Sequence, residues 1–251
     1  MHVEAIKTPI VKAGQDLTQV ITEVVSNLPE RSVLVIASKV VATWENRFVP
    51  KKRGDREEKF ALARQEADWY TDPHSSKYGL MLTIKDNWMF MSAGIDESNA
   101  DNQYLLWPKD PQAAAAKIWE FLRQHYGLKE VGVILTDSKS MPLNWGVTVH
   151  GIAYAGFECL KSYIGKPDLF GREMKMEKVN MMQSIAAAGG LEMGEGAEST
   201  PLAIVTEVRD LVFQDHAPTA AELAELKIKL EDDAYAPLLL GADWKRGGGG
   251  K

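Results

Sequence analysis

The sequence predicts an α+β fold in which mixed sheets are flanked by helices. Short apolar runs rich in β-branched residues, which are typical of buried strands, occur at 32–38, 131–136 and 202–206. Between them lie segments with helix-start signals, of which residues 111–126 form the clearest. Because strands and helices alternate without the even spacing of a doubly wound sheet, we expect mixed sheets rather than a purely parallel one.

The first half of the chain predicts strands, two helices and a hairpin. In order, these elements are a strand at 3–6, a helix at 16–26, a strand at 32–38, a charged helix at 55–70, a loop at 71–79 and a β-hairpin at 80–93. The strand at 32–38 ends at Ser38 and is followed by Lys39. Asp86 and Asn87 predict the hairpin turn, because both residue types are common in tight turns.

The second half of the chain predicts helices with clear end signals. In order, its elements are a helix at 111–126, a strand at 131–136 that ends before Asp137, a sheet-like segment at 146–156, a helix at 179–193 that Gly189 and Gly190 interrupt, a strand at 202–206 and a helix at 219–230. Asp110 and Pro111 have the residue types of an N-cap and a first helical position, and Gly127 follows the helix end. Thr219 and Glu222 have the spacing of a capping box.

The elements divide the chain into three regions. We predict one α+β domain over 1–215, a C-terminal helical extension over 216–246 and a flexible Gly-rich tail over 247–251. The tail contains no core-forming side chain, which is why flexibility is the expectation.

The overall charge and the cysteine content exclude several function classes. Lys and Arg number 29 against 35 Asp and Glu, which gives a net charge of −6 and a pI near 5.5. A mildly acidic chain lacks the basic face on which nonspecific nucleic-acid or membrane-surface binding depends. The single cysteine, Cys159, fits a reducing compartment, and no apolar run approaches the roughly 18 residues of a membrane span. Since the N-terminus also lacks the apolar core of a signal peptide, we predict a cytoplasmic protein without nucleic-acid or membrane partners.

Oxygen-bearing side chains follow several of the predicted elements. They are Asp96 after the hairpin, Asp137 and Ser138 after the strand at 131–136, and Glu195 after the helix at 179–193. Carboxylates at strand ends can converge at one edge of a sheet, and hard oxygen ligands suit Mg²⁺ or Mn²⁺. For each residue taken alone, a role in a turn or a helix cap is the commoner alternative.

A glycine-rich turn and a lysine are candidate phosphate contacts. Gly194 and Gly196 would let backbone amides approach a phosphate, although a helix that simply ends in glycines explains them equally well. Lys39 would offset a phosphate charge, although a solvated lysine is the commoner outcome. The chain has no G-x-x-x-x-G-K-[ST] motif and no G-x-G-x-x-G motif after a strand, which excludes P-loop and Rossmann sites.

Several segments together resemble one enzyme family. They are Ala93–Asn99, Val131–Ser138, Tyr163–Glu173 and Met193–Gly196, together with the earlier segments Ala37–Val41 and Glu45–Arg47. In this order and spacing they resemble the coenzyme F420-0:γ-glutamyl ligase family over about residues 1–210. The resemblance implies a ligase-like α+β fold with the catalytic domain at 1–215.

The resemblance also implies a reaction and its residues. It implies a homodimeric ligase that uses GTP or ATP with Mg²⁺ or Mn²⁺, activates a carboxylate as an acyl phosphate, and lets the amino group of L-glutamate attack it. By analogy, the metal-binding positions are Asp96, Asp137, Ser138 and Glu195. The nucleotide-binding positions are Pro9, Ser38, Lys39, Gly194 and Gly196. The catalytic positions are Asp96, Asp137 and Lys39.

The segment after Asp137 and Ser138 bears on the acceptor. Where F420-0 ligases carry arginines, this chain has Lys139-Ser-Met-Pro-Leu-Asn144, and a lysine lacks the bidentate fork with which arginine grips a phosphodiester. Met141 and Trp145 offer apolar and aromatic surface for a flat pterin ring. We therefore predict a folate-like acceptor, as in a bacterial branch described as folate-metabolism γ-glutamate ligases. The alternatives are F420-0 as acceptor, a noncatalytic nucleotide- or cofactor-binding relative, and a metal-dependent phosphatase.

Overall fold

The structure is a computed structural model that describes residues 1–250. Its strands are β1 (His2–Ile6), β2 (Ser32–Ala37), β3 (Phe48–Pro50), β4 (Trp69–Tyr70), β5 (Leu82–Lys85), β6 (Trp88–Met91), β7 (Gln103–Leu105), β8 (Val131–Ser140), β9 (Val147–Ala155), β10 (Leu160–Ser162), β11 (Lys178–Asn180), β12 (Leu202–Thr206) and β13 (Lys245–Arg246). Its α-helices are α1 (Leu17–Val24), α2 (Ser38–Trp44), α3 (Arg56–Glu66), α4 (Pro111–Tyr126), α5 (Met181–Met193), α6 (Ala220–Glu225) and α7 (Ala236–Leu239). The combination of helices with mixed sheets confirms the predicted α+β class.

A five-stranded sheet in the order β1-β12-β2-β8-β9 forms the main core. β2 and β8 pair in parallel, whereas the other neighbours pair antiparallel, so the sheet is mixed as predicted. The apolar run at 33–36 is buried on both faces, because α1 and α4 cover one face and α5 covers the other. Ala37 pairs with Thr136, so the carboxyl end of β2 lies beside the middle of β8, which continues four residues further.

Helix α4 begins and ends where the sequence predicts. The Asp110 side chain accepts a hydrogen bond from the Ala113 amide at 2.9 Å, and Pro111 takes the first helical position. Gly127 ends the helix at a φ of 67°, a left-handed conformation that favours glycine. The apolar face of α4 packs on β8 and β9 and so holds β8 in position within the main sheet.

The prediction that two glycines interrupt α5 is wrong. The helix is continuous, and the glycines bring it close to the main sheet. A Cβ at Gly189 would lie 2.9 Å from a methyl group of Val35, and one at Gly190 would overlap Val149. Close packing therefore explains why glycine occupies both positions, although each glycine destabilises a helix interior by about 1 kcal/mol relative to alanine. The helix ends at Met193, and the next residue, Gly194, has a φ of 75° that turns the chain toward Glu195.

A second sheet, in the order β13-β4-β5-β6, carries the predicted hairpin. Asp86 and Asn87 form its turn with φ values of 50° and 68°, as the sequence predicts. The charged helix is shorter than the predicted 55–70, because α3 ends at Glu66 and Trp69 joins β4, which pairs with β5. The sequence also missed α2, which begins at Ser38 directly after β2.

Strand β8 is longer than predicted. The predicted strand ended at Thr136, whereas the observed strand continues to Ser140 and stays paired with β9. Asp137 and Ser138 therefore lie within a strand rather than in a loop after it. Because successive side chains of a strand point to opposite faces, the two residues face opposite sides of the sheet.

The C-terminal part of the chain packs in two places, with Leu223 and Leu226 against the core beside α5 and residues 245–250 against the second sheet. The capping box of Thr219 and Glu222 is confirmed, but α6 ends at Glu225 rather than near residue 230. β13 pairs with β4, and the backbone amides of residues 247–250 donate hydrogen bonds of 2.9 Å to carbonyl groups within 64–68. The division into the domain at 1–215, the extension and a flexible tail stays a prediction, and Lys251 lies outside the described residues. Within residues 1–250, no helix has both the length and the apolar character needed to span a membrane.

Candidate active site

The residues predicted to bind metal and nucleotide all line one cavity of about 1180 Å³. Its walls come from the segment after β1, the start of α2, the loop after β6, the end of β8 and the loop after α5. The predicted residues among the lining are Pro9, Ser38, Lys39, Asp96, Asp137, Ser138, Gly194, Glu195 and Gly196. Segments far apart in the sequence thus meet at the carboxyl ends of β2 and β8.

Asp137 is half-buried near the end of β8. Its Oδ2 atom accepts a hydrogen bond from the indole N–H of Trp107, and its Oδ1 atom accepts one from the Ser138 amide at 2.9 Å. Burial, followed by the negative charge of Asp96, raises the pKa of Asp137 to about 7. A cation bound beside Asp137 would stabilise the charged carboxylate, so this environment suits a cation-binding site.

Asp96 reaches the cavity from the loop after β6. Its backbone exchanges two hydrogen bonds of 2.9 Å with Leu105, which hold the loop against β7. Its Oδ2 atom lies 3.2 Å from the ammonium of Lys39, and its Oδ1 atom accepts a weak hydrogen bond from the Ser98 hydroxyl at 3.4 Å. Lys39 also donates to the Ser98 hydroxyl at 3.0 Å. The loop therefore presents Asp96 to the cavity with a cation directly beside it.

Ser138 and Glu195 form a second pair. The Ser138 hydroxyl donates to Glu195 Oε1 at 2.6 Å. This contact lies on the α5 side of the sheet, whereas Asp137 faces Trp107, which belongs to the core on the opposite side. The predicted metal ligands thus occur as Asp96 with Asp137 and as Ser138 with Glu195.

The donor chemistry of these pairs fits a divalent cation in part. Carboxylate and hydroxyl oxygens are the ligands that Mg²⁺ and Mn²⁺ prefer, and a cation would offset the repulsion between Asp96 and Asp137. Within residues 1–250, however, no group of three or more Asp, Glu, His or Cys side chains is arranged to hold a metal ion. That all the predicted oxygens bind one ion stays a prediction.

The glycine turn after α5 is already engaged by a carboxylate. The Gly196 amide donates to Glu198 Oε2 at 2.7 Å, and the Glu198 carboxylate also lies against Gly194. Across the turn, the Asn99 side chain donates to the Gly196 carbonyl at 3.3 Å. The backbone amide predicted to contact a phosphate is therefore occupied by Glu198, so nucleotide binding at this turn would require that side chain to move.

The segment predicted to contact the acceptor divides into an inner and an outer part. Lys139 and Met141 line the cavity, and the Lys139 ammonium lies 5.6 Å from the centre of the Phe90 ring. Burial lowers the pKa of Lys139. Trp145 does not line the cavity and is 94% exposed, so the predicted aromatic platform for a substrate ring is not in place.

Two functional neighbours were missed by the sequence analysis. The sequence analysis singled out neither Trp107, whose indole contacts Asp137, nor Glu198, which occupies the glycine turn. Asp137 is separated from Trp107 by 30 residues, and Glu198 contacts the turn only through the local loop conformation. No spacing pattern in the sequence could have identified either contact.

Comparisons with known proteins assign the chain to a family. Residues 5–207 match the family described as F420-0:Gamma-glutamyl ligase. The chain belongs to this family. Among similar proteins, the coenzyme F420:L-glutamate ligase of Haloarcula marismortui is 30% identical over 86% of this chain and 90% of its own length.

The same name is carried by two further relatives. The protein of Archaeoglobus fulgidus is 31% identical over 78% of this chain and 83% of its own length. The protein of Methanosarcina acetivorans is 29% identical over 82% of this chain and 86% of its own length. The F420-0:γ-glutamyl ligase family confirms the predicted enzyme class, a ligase that forms C–N bonds, and supports glutamate ligase activity.

Proposed function

We propose that the protein is a nucleotide- and metal-dependent ligase that joins L-glutamate to F420-0 or a close analogue. The observation that carries the proposal is the convergence of the predicted metal and nucleotide residues on one cavity in a member of this family. The proposal reverses our first choice of acceptor, because the relatives are named for coenzyme F420 and Trp145 stands away from the cavity.

The proposed chemistry requires an activated carboxylate. A carboxylate oxygen of the acceptor attacks the γ-phosphorus of GTP or ATP, and the nucleoside diphosphate leaves as the acyl phosphate forms. The amino nitrogen of L-glutamate then attacks the acyl carbon, inorganic phosphate leaves, and the amine loses a proton as the amide forms. A bound divalent cation would supply charge neutralisation for the phosphates, and Asp96 and Asp137 would hold it.

Lys39 supplies the remaining positive charge that this chemistry needs. Its ammonium enters the cavity at the start of α2, and its only carboxylate contact within residues 1–250 is Asp96. When a phosphate binds, the ammonium can interact with it while staying beside Asp96. Orientation and charge neutralisation by these residues account for most of the proposed catalysis, since phosphoryl transfer depends largely on positioning and electrostatics.

Lys139 supports an anionic acceptor. It is half-buried, lines the cavity and follows the candidate metal residues along β8. A phosphodiester could accept a charge-assisted hydrogen bond from its ammonium, although without the paired contacts that an arginine makes.

A folate-like acceptor remains the second candidate because of the apolar lining. Met89, Phe90, Met91 and Met141 line the cavity and would accommodate a flat ring such as a pterin. A folate-type acceptor has no phosphodiester to pair with the Lys139 ammonium. Removal of the Lys139 charge should therefore lower kcat/KM more for F420-0 than for a folate-type acceptor.

We expect F420-0 to be the better acceptor. A charged hydrogen bond is typically worth about 1.5–3 kcal/mol, which corresponds to on the order of ten- to a hundredfold in specificity. The measurement is kcat/KM for F420-0 and for a folate-type glutamate acceptor, with the same nucleotide and metal, in the wild type and in Lys139→Met. The variant should lose most of the preference for F420-0. A wild type that prefers the folate-type acceptor by about tenfold would overturn this choice.

A further inference from the structure

The indole of Trp107 lies between the two segments that carry the acidic residues of the candidate metal pair. Trp107 follows β7 and is only 2% exposed, and its N–H donates to Asp137 Oδ2. The ring also lies directly against the backbone of Gly94, two residues before Asp96, because a Cβ at Gly94 would overlap the indole nitrogen. The same side chain thus touches β8 and the loop that carries Asp96.

The indole is held in place from several sides. The Phe90 ring packs edge-to-face on it, with the ring centres 4.8 Å apart and an angle of 74° between the planes. The Arg47 Nε atom donates to the Trp107 carbonyl at 2.9 Å, and the Arg47 guanidinium is itself paired with Glu66 at 3.1 Å. A side chain fixed in this way has little freedom left to lose when it orients a neighbour.

The hydrogen bond from Trp107 determines how Asp137 faces the cavity. One Asp137 oxygen accepts from the indole and the other from the Ser138 amide, so the carboxylate plane is fixed from both ends. The indole N–H can donate but cannot accept, and it carries no charge. It therefore orients the carboxylate without neutralising it, and each oxygen keeps a lone pair for a cation.

We propose that Trp107 is a positioning residue, which fixes the Asp137 carboxylate in the orientation that binds the divalent cation. The inference rests on the proposed metal-dependent function and adds a residue to it. Residues that orient metal ligands typically contribute about tenfold to a hundredfold to metal affinity or activity. Trp107 should contribute in the same range.

The test variant is Trp107→Phe, which keeps an aromatic ring against Phe90 and removes the N–H donor. Trp119→Phe is the matched control, since Trp119 is 4% exposed and its indole N–H donates at 2.9 Å to the Val131 carbonyl on the same strand as Asp137. Both variants lose one buried hydrogen bond in the same core, but only the first loses a contact with Asp137. Arg47→Lys is a milder second variant, because it removes the Nε donor that supports the Trp107 backbone.

The measurement is Mn²⁺ binding by titration calorimetry to the full chain, with a non-hydrolysable GTP analogue present. We expect Trp107→Phe to weaken Mn²⁺ binding about tenfold or more, Arg47→Lys to weaken it less, and Trp119→Phe to leave it unchanged. In activity assays, the Mn²⁺ concentration for half-maximal rate should rise in Trp107→Phe, and excess Mn²⁺ should restore kcat.

The remaining outcomes separate the inference from the proposed function. Wild-type affinity in Trp107→Phe, together with loss of binding in Asp137→Asn, would refute the positioning role and leave the metal-dependent function standing. Equal losses in Trp107→Phe and Trp119→Phe would also refute it, because the effect would then be one of core packing. A wild-type protein that binds no Mn²⁺ would overturn both.

Discussion

Replacing Asp137 with asparagine is expected to abolish glutamate ligation while leaving the fold intact. The amide oxygen of asparagine can still accept the indole N–H of Trp107, and only the hydrogen bond from the Ser138 amide is lost. The charge that would hold a divalent cation is lost. Because residues that merely orient a metal ligand are worth about tenfold to a hundredfold, loss of the ligand charge should lower turnover by more than about a hundredfold. The measurements are turnover at saturating metal and the thermal midpoint.

The stability of this variant has a predictable direction. Burial and the Asp96 charge raise the Asp137 pKa from 3.8 to about 7, so the charged form is unfavourable in the folded protein. Above pH 3.8 this penalty grows toward pH 7, and asparagine removes it, so Tm should be unchanged or higher near neutral pH. Glu97→Gln is the control, since Glu97 adjoins Asp96, pairs with Lys51 and does not line the cavity. Near-wild-type turnover in Asp137→Asn would refute the assigned role.

Replacing Lys39 with methionine is expected to weaken nucleotide binding and slow ligation. Lys39 lines the cavity, and its ammonium lies 3.2 Å from Asp96 Oδ2 and 3.0 Å from the Ser98 hydroxyl. Methionine keeps much of the side-chain volume but removes the charge that would interact with a phosphate. A lost charge-assisted hydrogen bond of about 1.5–3 kcal/mol corresponds to on the order of ten- to a hundredfold in kcat/KM for the nucleotide.

The matched control for Lys39 is Lys51→Met. Lys51 also contacts the loop at 96–99, through a 2.8 Å ion pair with Glu97, but it does not line the cavity. Loss of this pair should change nucleotide kinetics little. An equal effect of both substitutions on kcat/KM would show that Lys39 acts through loop stability rather than through the phosphate.

Local signals in the sequence predicted much of the fold. Asp110, Pro111 and Gly127 placed α4 because capping and backbone preferences act within a few residues. The extension of β8 to Ser140 was missed, because pairing with β9 rather than an apolar run maintains the strand there. The continuity of α5 through Gly190 was missed for a related reason, since only the packed sheet shows why glycine is needed.

The composition of the candidate site was predictable, but its arrangement was not. The resemblance to the family named Asp96, Asp137, Ser138 and Glu195, and the structure brings them to one cavity. The division into two pairs arises because Asp137 and Ser138 face opposite sides of β8. The sequence analysis ended β8 at Thr136 and therefore could not predict this division. The Trp107 contact depends on tertiary packing between segments distant in the sequence.

Product analysis with labelled acceptor tests the central claim most directly. F420-0 with oxygen-18 in its reacting carboxylate would be incubated with the protein, L-glutamate, GTP or ATP, and Mn²⁺, and the acceptor and the released phosphate would be analysed by mass spectrometry. We predict glutamylated F420-0 together with phosphate that carries one oxygen-18 atom, because an acyl phosphate transfers a carboxylate oxygen to phosphorus. Release of unlabelled phosphate without any glutamylated product would contradict the account and favour a phosphatase.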